Sequence, residues 1–275
     1  MRESVKAMNQ KDTGNNNVDI TEQLPTVLSL CTGLSGLERG LKLAGLEHRV
    51  LAHVEIEAYA IANLLAKMET GLLVPAPVFS NIKTLPVSPF RDRVDILTSG
   101  YPCQPFSAAG KRQGEEDPRH LWPYIKEIIR AVRPSRCFFE NVEGHISLGL
   151  REVIEDLEGL GYRTAWGIFS AREVGASHQR KRVFIMADTP RIRVQRLRSS
   201  GVEEPDSHGQ KELSLRESQR PEYATWEAEP RICRVVDGVR NRIDRIRLLG
   251  NSVVPRTAAK AWLTLQQQIE DSTIA

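Results

Sequence analysis

Cysteine is scarce in this chain and poorly spaced for structural chemistry. There are four, Cys31, Cys103, Cys137 and Cys233, and no two form a CxxC pair. That scatter argues against a zinc ribbon or a disulfide framework and suits a reducing, cytoplasmic setting. Long apolar runs are also missing. Nothing approaches the roughly 20 residues that span a bilayer, and the N-terminus has no signal-peptide core. Neither sign of charge dominates: the net charge is +3 and the pI about 8.7. That balance permits a nucleic-acid partner without requiring one. A full G-x-G-x-x-G is absent, which counts against a dinucleotide cofactor. What remains is 275 residues, 40% of them hydrophobic. This suffices for one good core and a smaller appendage.

The periodicity predicts an α/β fold. Val27–Leu30 reads as a strand, and Leu34, Leu37, Leu41 and Ala44 then fall on one helical face. Val50–Val54 and Val94–Leu97 are further strands, with a helix over Ala58–Lys67 between them. Ile125, Ile128, Ile129 and Val132 follow the i, i+3, i+4, i+7 spacing of a buried helix face. Arg136–Phe139 is a strand, and Leu150, Val153, Ile154 and Leu157 mark another helix. Tyr162–Phe169 and Arg182–Ala187 are strands that can pair. Strands alternating with helices imply a doubly wound, mostly parallel sheet. Four segments are expected: a disordered leader over 1–24, a catalytic and cofactor-binding domain over 25–187, a short arginine-rich target-recognition region over 188–240, and a C-terminal segment over 241–275 returning to the catalytic domain. No extended apolar seam is left over, which favours a monomer.

The chemistry concentrates at strand ends, where ligands bind in open α/β sheets. Cys103 sits between Pro102 and Gln104-Pro105, just after the third strand. The prolines stiffen that turn and bias it away from helix. Gly33-Leu34-Ser35-Gly36 forms a glycine-bearing strand-to-helix turn that lets a ligand approach backbone N–H groups. Glu55 ends the second strand, where a carboxylate can accept from ribose hydroxyls. Glu140 follows Phe138-Phe139 and leads into a loop, where partial desolvation would suit it to a ring nitrogen. Arg180 and Arg182 point to one face of a strand start, as cationic donors to a base oxygen or a phosphate. Taken singly, each has an ordinary structural explanation, such as a buried thiol, a surface acid or a solvated basic edge.

In serial order these motifs resemble the cytosine-5 DNA methyltransferase family. The resemblance rests on Gly33–Gly36, Glu55, Pro102-Cys103-Gln104, Glu140-Asn141-Val142, Arg180/Arg182 and Leu249-Gly250-Asn251-Ser252-Val253-Val254-Pro255, and spans roughly Thr26 to Leu265. It implies S-adenosylmethionine as cofactor and a flipped cytosine in double-stranded DNA as substrate. Cys103 would add to C6, with Glu140 at N3 and Arg182 and Arg180 holding the base. Thr32, Gly33, Leu34, Ser35, Gly36, Glu55, Ile56, Asn81, Ile82, Pro102, Asn251, Ser252 and Val253 would line the cofactor site. Gln104, Ser107, Asn141 and Val142 would face substrate, and Arg191, Arg193, Arg196 and Arg198 would meet phosphates. No metal is implied. A cognate restriction enzyme encoded nearby is compatible with this reading. The chain departs from the family with Ser35 in place of a glycine, Asn81 in place of an aspartate, and a short recognition region. Ser35 is expected to narrow the space for cofactor. An RNA cytosine methyltransferase, a silent DNA- or cofactor-binding module and a nicotinamide oxidoreductase are the competing readings.

Overall fold

The computed structural model describes residues 24–102, 121–189 and 249–274. The expected leader and target-recognition region lie almost wholly outside these residues, as do Cys103, Gln104, Ser107, Arg191, Arg193, Arg196 and Arg198.

Seven strands form one sheet: β1 (Thr26–Leu30), β2 (Arg49–Val54), β3 (Val78–Phe79), β4 (Ile96–Ser99), β5 (Arg136–Val142), β6 (Arg163–Ser170) and β7 (Lys181–Asp188). Their spatial order is β3-β2-β1-β4-β5-β7-β6. The first five are parallel, and β7 runs antiparallel to both β5 and β6. Among the described residues the helices are α1 (Gly36–Leu43), α2 (Ala58–Glu69), α3 (Trp122–Val132), α4 (His145–Leu148), α5 (Leu150–Gly159) and α6 (Pro255–Ile274), with residues 249–251 also helical. The expected doubly wound, mostly parallel α/β sheet is therefore the observed one.

Strand alternation divides the core between the two faces of the sheet. Phe139, Val183, Ile185 and Ala187 join Ile125, Ile129, Val153 and Leu157 of α3 and α5 in one apolar cluster. Phe138, Phe184 and Met186 point the other way, where they meet Leu37 and Leu41 of α1 and Ala258, Ala261, Trp262 and Leu265 of α6. Trp262 packs edge-on to Phe138 with ring centroids 5.2 Å apart. A pair of this geometry adds about 1 kcal/mol beyond the area it buries. The chain's end thus closes the face on which its first helix lies. The α1–α6 approach is close, and a Cβ on Gly40 would fall 2.6 Å from the Cβ of Ala258.

Element boundaries shift from expectation, and one short strand is added. The third strand begins at Ile96, not Val94. Asp95 is instead engaged sideways, its carboxylate accepting from the Thr26 N–H at 2.9 Å and from Oγ1 at 2.8 Å. β5 continues to Val142 because β7 pairs with it over seven residues. Glu140 is therefore held within a strand, not delivered into a loop. The two-residue β3 was too short to leave a periodic signal.

Candidate active site

The parallel strands β1, β2, β4 and β5 all end at one edge of the sheet. Because β7 is antiparallel, its start lies at that same edge, and this brings Arg182 beside Glu140. The register opposes Glu140 to Phe184 and Val142 to Arg182, so Arg182 is the diagonal neighbour of Glu140 on one face. Its Nε lies 2.9 Å from Glu140 Oε1. Glu140 is only 7% exposed. Burial pushes its carboxyl pKa up to about 7, although Arg182 and then Arg180 pull it down. A carboxyl poised there is present in both protonation states near neutrality. A cleft lined by Glu140, Arg180, Arg182, Phe184, Val253, Val254 and Thr257 opens at this point.

Arg180 lines this cleft and also reaches the segment before α6. Its Nη2 donates to the carbonyl of Gly250 at 2.7 Å and to that of Ser252. It therefore grips the backbone of that segment. The residue itself adopts a left-handed φ of 35°, a conformation that costs a non-glycine residue roughly 1–2 kcal/mol.

The turn after β1 lies next to this cleft. Cys31, Gly33 and Ser35 all have positive φ, which folds the chain tightly between Leu30 and α1. Glu55, at the end of β2, braces the turn: its Oε2 accepts from the Gly33 N–H at 2.7 Å and its Oε1 from the Glu57 N–H at 2.8 Å. Lys67 of α2 donates to the Leu34 carbonyl at 3.0 Å. Thr32 is buried against Ser29, its Oγ1 lying 2.9 Å from Ser29 Oγ. A Cβ on Gly36 would fall 2.6 Å from the Val253 carbonyl oxygen and 2.9 Å from the Val253 Cβ. A Cβ on Gly100, past β4, would lie 3.7 Å from Glu140 Oε2, and 3.8 Å from both Cys31 O and Val253 Cγ2. Four expected motifs therefore meet around Gly100 and Val253.

Ser35 does not narrow the turn as expected. It is buried, and its Oγ donates inward to Glu38 Oε2 at 2.9 Å. Thr98 of β4 donates to the other oxygen of Glu38 at 2.6 Å. Sequence reasoning assigned Glu38 no role. Its signal was a carboxylate beside Leu37 and Leu41 on an apolar helix face, where it must find donors.

Other candidates divide between open and buried positions. Ile56 is 73% exposed beside Glu55, which suits stacking against a flat ring. Asn81 caps a short 3-10 turn, its Oδ1 accepting from the Lys83 N–H at 2.9 Å. Ile82 is half-buried against the core. Asn251 is exposed, whereas Ser252 and Val253 are half-buried. Val142 is exposed, but Asn141 is only 2% exposed. The Asn141 Nδ2 donates to the Tyr101 carbonyl at 3.2 Å, and its Oδ1 accepts from the Val142 N–H at 2.8 Å. Asn141 thus braces the chain just before Pro102 and does not present its amide to a substrate. Tyr101 is held again by its hydroxyl, 2.9 Å from His145 Nε2. Burial pushes the His145 pKa down to about 4, keeping the ring neutral. These anchors fix the chain up to Pro102, which is itself exposed. Tyr101 and His145 were missed because their pairing joins residues 44 apart in sequence and carries no local pattern.

The profile of the C-5 cytosine-specific DNA methylase family matches residues 25–232. The chain belongs to that family. Among curated relatives, the chain is 31% identical over 166 residues to the Type II methyltransferase M.NaeI of Lentzea aerocolonigenes, covering 58% of this chain and 39% of that protein. It is 33% identical over 174 residues to M.NgoBV of Neisseria gonorrhoeae, with 58% and 40% covered. The chain thus spans about two fifths of the length of these relatives. Among solved structures, S. pombe Dnmt2 methyltransferase superposes with a TM-score of 0.51 at 23% identity, over 66% of this chain and 58% of that one. A Spodoptera frugiperda DNMT2 variant gives 0.51 at 24%, over 62% and 51%. These two likenesses bear on the fold of the chain alone.

Proposed function

We propose that this protein transfers a methyl group from S-adenosylmethionine to C5 of a cytosine flipped out of double-stranded DNA. The observation that carries the reading is the pair of buried Glu140 and half-buried Arg182, set beside the Gly33 turn and at the edge where the chain reaches Pro102. The relatives of this chain are Type II methyltransferases, which favours DNA as substrate.

The residues suit an adenosine-bearing cofactor. Open space adjoins Gly33, where an added Cβ would meet nothing within 4 Å. The Glu55 carboxylate would accept from ribose hydroxyls, Ile56 would cover the adenine face, and Val253 would close the site against Gly36. Bound there, S-adenosylmethionine supplies an electrophilic methyl group on a sulfonium.

The chain's own groups do the rest. Cytosine C5 is a weak nucleophile. The Cys103 thiolate would form a bond to C6, moving the C5–C6 π electrons towards C5. Glu140 would donate its proton to N3 and so draw charge out of the ring as the thiolate adds. Burial raises its pKa to about 7, so the proton is available to donate near neutrality. Arg182 would orient both Glu140 and the base while offsetting developing negative charge. Once C5 carries the methyl group, loss of its proton returns electrons to the ring and expels the Cys103 thiolate. Extruding the base costs a few kcal/mol, which the closed cleft must return in contacts.

The test is transfer of labelled methyl groups from S-adenosylmethionine to unmethylated duplex DNA, alongside a tRNA pool. The Cys103→Ala variant should lose transfer completely and still bind cofactor. Label in tRNA alone would replace the DNA reading with the RNA one. Turnover surviving in the variant would remove Cys103 from the mechanism.

A further inference from the structure

We propose that Arg180 is a positioning residue that clamps the cofactor-closing segment to the catalytic strand, and does not itself hold the target base. The inference rests on taking the Gly33 turn and the segment over 250–253 as the S-adenosylmethionine site.

Residues 249–251 are helical, and residues 252–254 lead from them into α6. Among the described residues, the other hydrogen bonds of this segment are local: the Ser252 N–H and Oγ both donate to the Leu249 carbonyl. Arg180 is the long-range tie, reaching across about 70 residues of sequence to two carbonyls at once. A guanidinium suits this, because its charge strengthens both bonds and its planar fork fixes their direction. The target carbonyls belong to the backbone, so side-chain changes in the segment cannot replace the tie.

The position of the segment matters on both sides. Val253 presses against Gly36 at the cofactor turn and lies near Gly100, which adjoins Glu140. Arg180 stands two residues before Arg182, the partner of Glu140. One side chain therefore links the wall of the cofactor site to the strand carrying the catalytic ion pair. The left-handed backbone at Arg180 is the strained conformation expected where surrounding structure dictates a side chain's aim.

The experiment is calorimetric titration of S-adenosylmethionine into wild type, Arg180→Met, Arg180→Lys and Arg182→Met, without DNA, with thermal midpoints recorded before cofactor is added. Arg180→Met should weaken cofactor binding by about tenfold or more while its cofactor-free midpoint stays within about 2 °C of wild type. Arg180→Lys should recover most of the affinity, since an ammonium can donate to both carbonyls. Arg182→Met should bind cofactor within about twofold of wild type. Cofactor affinity unchanged in Arg180→Met would overturn the inference and return Arg180 to the base. A weaker affinity matched by a fallen midpoint and not restored by lysine would also overturn it, leaving only a stabilising role. If the methionine variant fails to fold, Arg180→Gln, with a short neutral donor, must still lower affinity for the inference to stand. Failure of wild type to bind cofactor would instead sink the functional reading beneath it.

Discussion

Replacing Glu140 with glutamine should change how the stability of this protein depends on pH. The carboxyl is 7% exposed and its pKa is pushed from 4.5 up to about 7. In the unfolded chain it ionises near 4.5, whereas in the folded chain it keeps its proton until about pH 7. Below pH 4.5 both states are protonated and the full stabilising contribution is present. Between 4.5 and 7 the folded state binds more protons than the unfolded state, so stability falls as pH rises. A shift of this size corresponds to about 3 kcal/mol, at 1.36 kcal/mol per pKa unit. The loss is nearly complete once pH exceeds 7. Glutamine fills the same volume without titrating. The difference in unfolding free energy between wild type and Glu140→Gln should therefore drift by about 3 kcal/mol between pH 4.5 and 8, against wild type. The pull of Arg182 on the ionised carboxylate is already contained in that shifted pKa, and the guanidinium itself stays protonated throughout. Urea denaturation at half-unit pH steps measures the drift directly. Parallel stability curves for the two proteins would refute the claim that burial, and not the arginines, sets the protonation of Glu140.

Glycine-to-alanine substitution should have opposite signs at two helical positions. Gly40→Ala puts a Cβ 2.6 Å from that of Ala258 and should cost about 1–3 kcal/mol through overpacking, lowering the thermal midpoint by several degrees. Gly159→Ala meets nothing within 4 Å and should stabilise the fold by up to about 1 kcal/mol, raising the midpoint; equal effects at both would discredit the α1–α6 packing. Asn141→Ala should cost about 2 kcal/mol and speed hydrogen exchange at the Val142 amide, and an unaltered exchange rate would mean the Asn141 side chain does not hold it. Glu55→Ala should reduce affinity for S-adenosylmethionine about tenfold while changing turnover at saturating cofactor much less. Unchanged affinity in a binding titration would leave Glu55 only as a brace for the Gly33 N–H.

Much of the candidate site was legible because its motifs are local. Gly33–Gly36 and Glu55 each stand where a strand stops, and apolar periodicity locates strands. Glu140 was found for the same reason, although its strand ran three residues further than its own apolar pattern, because pairing with β7 extends it. Asn141 was misjudged because alternation alone does not tell which face of β5 is packed. Its neighbour Val142 is open while Asn141 is sealed beneath Tyr101. Arg180 and Arg182 looked equivalent by spacing, since residues two apart in a strand share a face. Arg180, however, precedes β7 and has a left-handed backbone, so the parity rule does not govern its aim.

The sequence by itself determined the strand–helix alternation, the mostly parallel sheet and the order of the motifs, because hydrophobic period and turn chemistry act within a few residues. Tertiary structure decided which groups touch. The antiparallel return of β7 set Arg182 against Glu140, a contact fixed by register across some 40 residues. The docking of α6 on α1 brought Val253 against Gly36 and the Gly250 and Ser252 carbonyls to Arg180. Those contacts arise from packing two distant segments on one face of the sheet, and no local pattern encodes the distance between them.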